Sequence, residues 1–510
     1  MLPFQPSEQV ELTLHSYKSQ IILIVSHDWI RASPTSLNRF FRGSMTGTYD
    51  TQAAREIALN NVIAIFNDLG VAKLYVKKLA PNDNSKNQPY FGGHLSDLAF
   101  IPTGEPVASP TTSKKSKADK RQIKYQAPIN FSWVDAAGKI YPAPNTKLIY
   151  YPQYPEVRLS GFLQGSPVQA GEWMDPYKQG RSLGRWLILG AASTGKVYAY
   201  LVTPECALSK ELESADLFNV SSVFSQIDIH HSVAETSTRG ALIAKLTEIH
   251  NLGWIPSQKL NKDMTASPYK AQNGGGYTLE AKLGVTPNGF AEPDYLGWEV
   301  KQFGVTKFPA TGAKPTTLMT PEPDGGIYVS DGAEAFVRQY GYADKSGKKD
   351  RINFGGKHIA NKAHALTGLK MTIAGFDSES SHITDAQGAI ALVDGSGTIA
   401  ASWSFAKIMG HWKTKHAQAV YVPCIKRSSA AGANEYHYGN NIELGTGTNF
   451  EQVLACVYES SVYYDPGIKL EDSTSAKPKL KRRSQFRIAH QHLNRLYTKF
   501  ELVDILKEGQ

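Results

Sequence analysis

Four charged residues between residues 273 and 302 have the types needed to hydrolyse a phosphodiester bond: Glu280, Asp294, Glu299 and Lys301. Asp294 follows a proline and lies 14 residues after Glu280, and Glu299 and Lys301 form a Glu-x-Lys triplet. Because alternate residues of a strand project to one face, a strand here would present Glu299 and Lys301 together. Asp294 and Glu299 offer the hard oxygen ligands that suit Mg²⁺, and Lys301 can orient the attacking water and stabilise the charged transition state. Glu280 would hold a second ion or its hydration water.

This spacing is weak evidence when taken alone. A Pro-Asp pair followed by Glu-x-Lys is common in soluble proteins. The alternative is a surface β-hairpin on which Glu299 and Lys301 form an exposed pair. The elements around the four residues therefore have to decide between these interpretations.

The character of the chain changes near residue 205, which predicts two kinds of domain. Before it, short alternating or β-branched runs separated by Pro, Gly and Asn indicate a mainly β domain with one amphipathic helix at Gln52–Leu69. After it, helices predicted at Cys206–Leu217 and Glu235–Leu252, the second ending at Gly253, alternate with strands as in an α/β domain. The predicted domains are a β domain at 1–205, a helical linker at 206–235 and an α/β domain at 236–510. The strands predicted in the first domain are Lys73–Leu79, Leu98–Pro102, Thr146–Tyr151, Arg158–Leu163, Arg185–Leu189 and Lys196–Val202.

Composition excludes several classes of protein. With 41% hydrophobic and 10% aromatic residues, the 510-residue chain can fill real cores, which excludes a disordered or fibrous protein. Its formal charge of +9 favours polyanionic partners. The three cysteines include no Cys-x-x-Cys pair, which argues against a disulfide scaffold or a thiolate zinc site and fits a cytoplasmic location. No early apolar run approaches the ~20 residues that span a bilayer, so we expect neither an export signal nor a membrane anchor.

The region from about Ala241 onward resembles the MvaI/BcnI family of restriction endonucleases, which is related in fold to MutH. The resemblance rests on a helix ending in Gly253-Trp254, a glycine-rich turn before Glu280, and the spacing from Asp294 to Lys301. Further matches follow in order at 402–405, 419–422, 436–438 and 486–488. The resemblance implies an α/β PD-(D/E)XK nuclease that cuts double-stranded DNA with Mg²⁺, for which Mn²⁺ can substitute. Its active-site triad would be Asp294, Glu299 and Lys301, with Glu280 as the preceding acid.

A basic segment, Lys477–Arg487, contains six basic residues and no acid. Members of the family that the chain resembles read bases with residues just before the closing Phe-Arg-Ile, which this segment contains. Arg can bridge guanine O6 and N7, whereas Lys mostly meets phosphate. The DNA contacts predicted here are Lys481, Arg482, Arg483 and Arg487, and the alternative is a solvated basic loop.

Two segments of the β domain, Lys73–Tyr90 and Tyr154–Leu163, resemble the DNA-recognition pseudobarrel of EcoRII-type enzymes and, more closely, the sulfur-binding domains of type IV restriction enzymes. The resemblance implies recognition of phosphorothioate-modified DNA. Sulfur is larger, softer and less well hydrated than the oxygen it replaces, so a discriminating site should be partly apolar. The predicted contacts are Tyr154, Pro155, Arg158, Ser160, Lys86, Asn87 and Arg185. The alternative is that Tyr-Pro marks a strand entry and that the basic side chains bind any duplex electrostatically.

Three further patterns predict no additional chemistry. Gly190–Lys196 fits the G-x-x-x-x-G-K skeleton, but Val197 replaces the Ser or Thr that would hold Mg²⁺, so we predict a hairpin turn and no nucleotide cofactor. The pairs His230-His231 and His490/His492 lack companion ligands, and we predict solvated or helix-surface histidines. The cysteines are predicted to pack in the core.

The leading hypothesis is a modification-dependent (type IV) endonuclease whose β domain locates phosphorothioate DNA and whose α/β domain cuts it. The second is a type II restriction endonuclease whose β domain binds an unmodified or methylated effector sequence. The third is a non-cleaving DNA-binding defence or regulatory protein. The oligomeric state stays open.

Overall fold

The protein is represented by a computed structural model. It describes residues 16–17, 20–21, 23–25, 28–30, 47–81, 87–109, 123–215, 217–228, 238–261, 263–286, 294–309, 314–429 and 432–508. Four short strands precede the main body, at Ser16–Tyr17, Gln20–Ile21, Leu23–Val25 and Asp28–Ile30. Among the described residues, none of the helices combines the length and the apolar character needed to span a bilayer.

The N-terminal half is mainly β, as predicted. One sheet orders its described strands as Ile140–Pro142, Phe131–Val134, Val197–Val202, Trp186–Ala192, Val71–Lys78, Ser225–Asp228 and Phe218–Asn219. The other orders them as Tyr90–Gly92, Glu156–Ser160, Lys147–Tyr151, Tyr125–Pro128 and Val107–Ala108. Every residue of Val197–Val202 is buried, which suits its β-branched and aromatic sequence. Apart from the four short strands that precede the main body, which form two pairs, the described strands of this half form two hydrogen-bonded sheets, and the pseudobarrel stays a prediction.

Local chemistry accounts for two differences from the predicted elements. The helix expected at Gln52–Leu69 is two helices, Gln52–Glu56 and Leu59–Asp68, because Ile57 and Ala58 adopt extended backbone. The strand expected at Leu98–Pro102 is wrong. These residues are instead the end of a 3₁₀ helix at Leu95–Leu98 and the turn after it, and Asp97 Oδ2 accepts the backbone N–H groups of Gly93 and His94 at the start of the helix. The hairpin turn expected near Gly190–Lys196 is confirmed, with Gly195 at φ +78°.

The segment predicted as a helical linker at 206–235 adds structure to the N-terminal half. Its helix, Ala207–Ser214, is capped by the Cys206 Sγ, which accepts the Ser209 N–H at 3.3 Å. The strand Ser225–Asp228 then pairs with Val71–Lys78 inside the larger sheet. The described part of this segment is therefore integrated into the N-terminal half.

The C-terminal half is built on a central sheet. Five of its described strands are ordered Ile255–Pro256, Asn434–Tyr438, Gln418–Ser428, Asn441–Thr446 and Lys499–Asp504. The strand Glu299–Gly304 pairs in parallel with Gln418–Ser428. Helices Thr238–Asn251 and Gly274–Leu283 cover one face of this sheet, where they pack on aliphatic residues that include Val300, Val420 and Leu444. We call this the aliphatic face.

Five smaller sheets accompany the central one among the described residues of this half. Their strands are Gln258–Leu260 and Ala266–Pro268; Thr316–Met319, Phe486–Ile488 and Val462–Tyr464; Tyr342–Ala343, Arg351–Gly355, Gly467–Glu471 and Lys479–Lys481; Lys370–Ala374, Ala389–Val393 and Ile399–Ser404; and Phe376–Asp377 and His382–Ile383. The remaining helices are Gly171–Met174, Ile327–Ser330, Ala333–Tyr340, Phe405–Lys415, Phe450–Tyr458, Ile505–Glu508 and the 3₁₀ segment His490–Leu496.

The two halves share one continuous hydrophobic core. Polar contacts also cross between them: Ser96 Oγ donates to the Thr448 carbonyl at 2.6 Å, and Lys413 Nζ donates to the Ile101 carbonyl at 3.1 Å and to Thr103 Oγ1 at 3.0 Å. Burial lowers the pKa of Lys413 to about 7, because the interior disfavours the ammonium. The C-terminal half and the β half are therefore packed against each other through a desolvated contact.

Candidate active site and DNA-contacting surfaces

Glu299 and Lys301 form an ion pair at the start of the strand Glu299–Gly304. Lys301 Nζ donates to Glu299 Oε1 at 2.8 Å, and the side chains are 18% and 5% exposed, respectively. The two residues share one face of the strand, as their spacing predicted, while Val300 points to the aliphatic face. The burial of Glu299 rules out the alternative of an exposed surface pair.

A tight turn brings Asp294 beside this pair. Tyr295 and Trp298 exchange backbone hydrogen bonds of 3.0 and 2.8 Å, and Leu296 and Gly297 between them have φ values of +49° and +86°. Two positive φ values are typical of a type I′ turn, for which glycine is well suited. The returning chain places Asp294 Oδ2 2.9 Å from the Val300 backbone nitrogen, which donates to it. Asp294 thus lies next to the residue between Glu299 and Lys301, while Pro293 lies outside the described residues.

Glu280 has a different position. It lies on the helix Gly274–Leu283, which packs against the aliphatic face. Burial is the main cause of the raised pKa values of Tyr277 and Tyr438, and the charge of Glu280 makes a smaller contribution to both. The predicted glycine-rich turn is the first turn of this helix. A Cβ on Gly274 would lie 2.5 Å from Ser257 Oγ, so close packing requires the glycine.

Two buried pairs that the sequence prediction missed lie on the same face as Glu299 and Lys301. The hydroxyls of Tyr421 and Tyr497 hydrogen-bond at 2.9 Å. His490 Nε2 lies 2.9 Å from Glu443 Oε2, an ion-pair distance without the alignment of a linear hydrogen bond. His490 was predicted to be solvated, but it is 5% exposed because the ring packs on Phe303 with centroids 4.1 Å apart. The sequence signal that could have indicated the second pair is Glu443, an acid between the apolar residues Ile442 and Leu444.

The sequence comparison identifies the family. A profile of the MvaI/BcnI restriction endonuclease family matches residues 243–497, half of the chain. The chain belongs to this family. Its C-terminal half is therefore a restriction endonuclease-like DNA nuclease domain, and residues 1–242 lie outside the match.

Two solved structures are similar to the chain. One is the complex of restriction endonuclease MvaI with cognate DNA, at 17% identity and a TM-score of 0.39, covering 53% of this chain and 99% of the other. The second is MvaI in the absence of DNA, at 16% identity and a TM-score of 0.30, covering 53% and 100%. No curated protein matches the chain.

Two of the acids in this MvaI/BcnI member suit a divalent ion. The described residues contain no group of three or more His, Cys, Asp or Glu side chains placed to hold a metal, so Glu280 is not gathered with the other two acids. Mg²⁺, however, usually takes one or two carboxylates and completes its octahedron with water and substrate phosphate. Asp294 and Glu299, which flank Val300 as described, fit that smaller requirement in number and chemistry.

The basic segment before the closing Phe-Arg-Ile divides into exposed and structural residues. Lys481, Arg482 and Arg483 are exposed, although Lys481 Nζ also lies 2.8 Å from Glu471 Oε2. Arg487 differs from its predicted role as a DNA contact, because its guanidinium donates to Asp465 Oδ2 at 2.7 Å and to the Pro315 carbonyl at 2.8 Å. Since these bonds fix Arg487 between strands, we omit it from the proposed DNA contacts.

Several predicted residues of the N-terminal half gather around one loop. Tyr154 is 61% exposed and Pro155 is exposed beside it, at the turn between Lys147–Tyr151 and Glu156–Ser160. Arg158 donates to Glu156 Oε2 at 2.8 Å and to the Gln88 carbonyl at 3.1 Å. The Ser160 hydroxyl accepts from Gln88 Nε2 at 3.0 Å. Asn87 adopts a φ of +52°, and Lys86 lies outside the described residues.

Arg185 does not fit its predicted role as a DNA contact. It is 1% exposed, and its guanidinium donates to the carbonyls of Ser182, Trp173 and Ala80 at 2.7 to 2.8 Å. Burial lowers its pKa to about 10. The side chain ties together three backbone segments, a role that the positive charge alone did not predict.

Proposed function

We propose that this chain is a divalent-metal-dependent DNA endonuclease that hydrolyses phosphodiester bonds at Asp294, Glu299 and Lys301. The observation that carries the proposal is the arrangement of two acids and a lysine around one strand start in a family of restriction endonucleases. Mg²⁺, or Mn²⁺ in its place, would stabilise charge on the scissile phosphate and lower the pKa of a water. The carboxylates of Asp294 and Glu299 would hold the ion.

The residues of the chain supply the remaining chemistry. Lys301 is held by Glu299, so its ammonium is fixed near the site where the attacking water must lie. A positioned ammonium can orient that water and stabilise the negative charge of the transition state. The exposed cations Lys481, Arg482 and Arg483 would bind the duplex, with arginine able to read guanine.

We further propose that the N-terminal half recognises phosphorothioate-modified double-stranded DNA through the loop that carries Tyr154 and Pro155. Its support is the pairing of exposed apolar rings with a fixed guanidinium, since Arg158 is held by Glu156 and the Gln88 carbonyl. A phosphorothioate needs both an apolar contact for sulfur and a cation for its charge. An oxygen phosphate would lose hydration at the apolar rings without a compensating contact.

One plasmid, prepared with and without phosphorothioate linkages and digested with and without Mg²⁺, tests both proposals. We expect Mg²⁺-dependent cleavage of the modified plasmid by wild type and none by Asp294→Asn. Tyr154→Ala should lose the preference for modified DNA, and Tyr177→Ala, which removes an 80% exposed tyrosine from another loop, should keep it. Cleavage of both plasmids at equal rates by wild type would instead favour a type II enzyme.

A further inference from the structure

The side chains behind the Glu299–Lys301 pair form a row across the central sheet. Lys301 is in register with Tyr421, and Tyr421 is in register with Glu443. Residues in register on neighbouring strands point to the same face and lie about 5 Å apart. Tyr421 therefore lies between the lysine of the catalytic pair and a buried acid.

Tyr497 reaches the same place from outside the sheet. Glu299 is in register with Ala419, and Ala419 with Gly445, so two small residues leave space beside the carboxylate. The Tyr497 ring fills this space so closely that a Cβ on Gly445 would lie 2.5 Å from it. In this position the Tyr497 hydroxyl forms a hydrogen bond of 2.9 Å with the Tyr421 hydroxyl.

The negative charge of Glu299 acts on both tyrosines. Burial raises the pKa of Tyr421 and Tyr497 far above the usual value, and the charge of Glu299 raises both further. The hydroxyl pair is therefore neutral and buried, and it lies close enough to the Glu299 carboxylate to feel its charge.

His490 closes the row at its far end. Its Nε2 lies 2.9 Å from Glu443 Oε2, its Nδ1 lies 3.3 Å from Thr316 Oγ1, and its ring packs on Phe303. Phe303 follows Lys301 by two residues on the same face. The single segment 490–497 thus supplies both His490 and Tyr497 to the back of the catalytic pair.

A purely structural role does not require these polar groups. Buried ion pairs and hydroxyls contribute little net stability compared with well-packed apolar residues of the same volume. The Tyr421–Tyr497 hydrogen bond does, however, restrict both rings to one orientation, and these rings lie beside Lys301 and beside the space next to Glu299. Catalytic geometry within roughly 0.5 Å needs such support.

We propose that Tyr421, Tyr497, Glu443 and His490 form a positioning layer that holds the Glu299–Lys301 pair in the orientation required for metal binding and cleavage. The layer touches neither substrate nor metal and acts through Glu299 and Lys301. This proposal rests on the proposed nuclease function.

Hydroxyl deletion separates positioning from stability. We expect Tyr421→Phe to lower kcat on the order of 10-fold with DNA affinity in Ca²⁺ unchanged, and to lower Tm because the buried Tyr497 hydroxyl loses its partner. The double variant Tyr421→Phe/Tyr497→Phe leaves no unpaired hydroxyl, so a structural role would restore the wild-type rate, whereas a positioning role keeps it low. Tyr340→Phe is the control, because it removes the hydroxyl of another largely buried tyrosine, which donates to Asp394 Oδ2 at 3.0 Å far from the pair in the chain.

Mn²⁺ binding to the full chain, measured by electron paramagnetic resonance, gives a readout that does not need cleavage. We expect a several-fold weaker Mn²⁺ affinity in the double variant and a larger loss in Asp294→Asn. Wild-type Mn²⁺ affinity and rate in the double variant would overturn the positioning layer. If wild type bound Mn²⁺ but cut no DNA, the nuclease proposal would fail, while the Mn²⁺ comparison would still decide on the layer.

Discussion

The two faces of the central sheet use the same strands for opposite purposes. On the aliphatic face, Val300, Val420 and Leu444 pack with two helices and carry no polar atoms. On the other face, the residues one position away are Lys301, Tyr421 and Glu443, and they are polar or charged. Because strand side chains alternate, stability and chemistry are assigned to neighbouring residues of the same strand. The faces should therefore respond differently to substitution, one in stability and the other in rate.

The largest expected effect is on the polar face. Lys301→Met removes the ammonium but keeps most of the side-chain volume, and we expect single-turnover cleavage to fall on the order of 10³-fold. Leaving Glu299 buried without its partner will also cost stability, so Tm is measured in parallel. Lys307→Met, at an exposed lysine beyond the strand, is the control. A folded Lys301→Met protein with more than a tenth of the wild-type rate would contradict the assignment.

On the aliphatic face we expect a smaller effect, which changes stability and leaves the cleavage rate nearly unchanged. Val420 is fully buried, so Val420→Ala should lower the free energy of unfolding by about 2 kcal/mol through lost burial and a residual cavity. Urea denaturation measures this loss. The rate per folded molecule should stay within about two-fold of wild type, because Val420 points away from Glu299. A ten-fold loss of rate at unchanged stability would show that the two faces are not separable.

Local sequence chemistry predicts the shared face of Glu299 and Lys301 and explains the turn that precedes them. The positions of Glu299 and Lys301 follow from strand alternation, and Gly297 supplies a positive φ that the turn to Asp294 requires. The helix that starts at Cys206 and the stop at Gly253 are likewise local features. These predictions succeed because only residues close in sequence decide them.

Predictions that depend on distant contacts are less successful. Arg185 looks like a DNA contact until three carbonyls from separate segments surround its guanidinium. His490 and Glu443 meet only through the folded sheet, so neither residue alone indicates a buried pair. Gly274 begins a helix where a turn was expected, because the close approach of Ser257 and the helix packing override glycine's low helix propensity. Burial by tertiary contacts, which sequence spacing does not reveal, decides each of these cases.

The smallest expected effect is on the alkylation of Cys424, which tests whether water reaches the aliphatic face. Cys424 is 3% exposed there, and burial raises the pKa of its thiol to about 12. Since the thiolate is the reactive form, we expect no detectable alkylation of Cys424 by iodoacetamide at pH 8 in the folded protein. Peptide mapping by mass spectrometry measures it, with urea-unfolded protein as the positive control.

The same raised pKa sets a sign for the dependence of stability on pH. A thiol whose folded pKa is raised contributes stability that is fully present below its unfolded value of about 9 and is lost as the pH rises toward 12. Alkylation of Cys424 should therefore begin only in the alkaline range, and earlier in Val420→Ala than in wild type. Rapid alkylation at pH 8 would mean that water reaches the aliphatic face, and the contrast with the polar face would then rest on side-chain type alone.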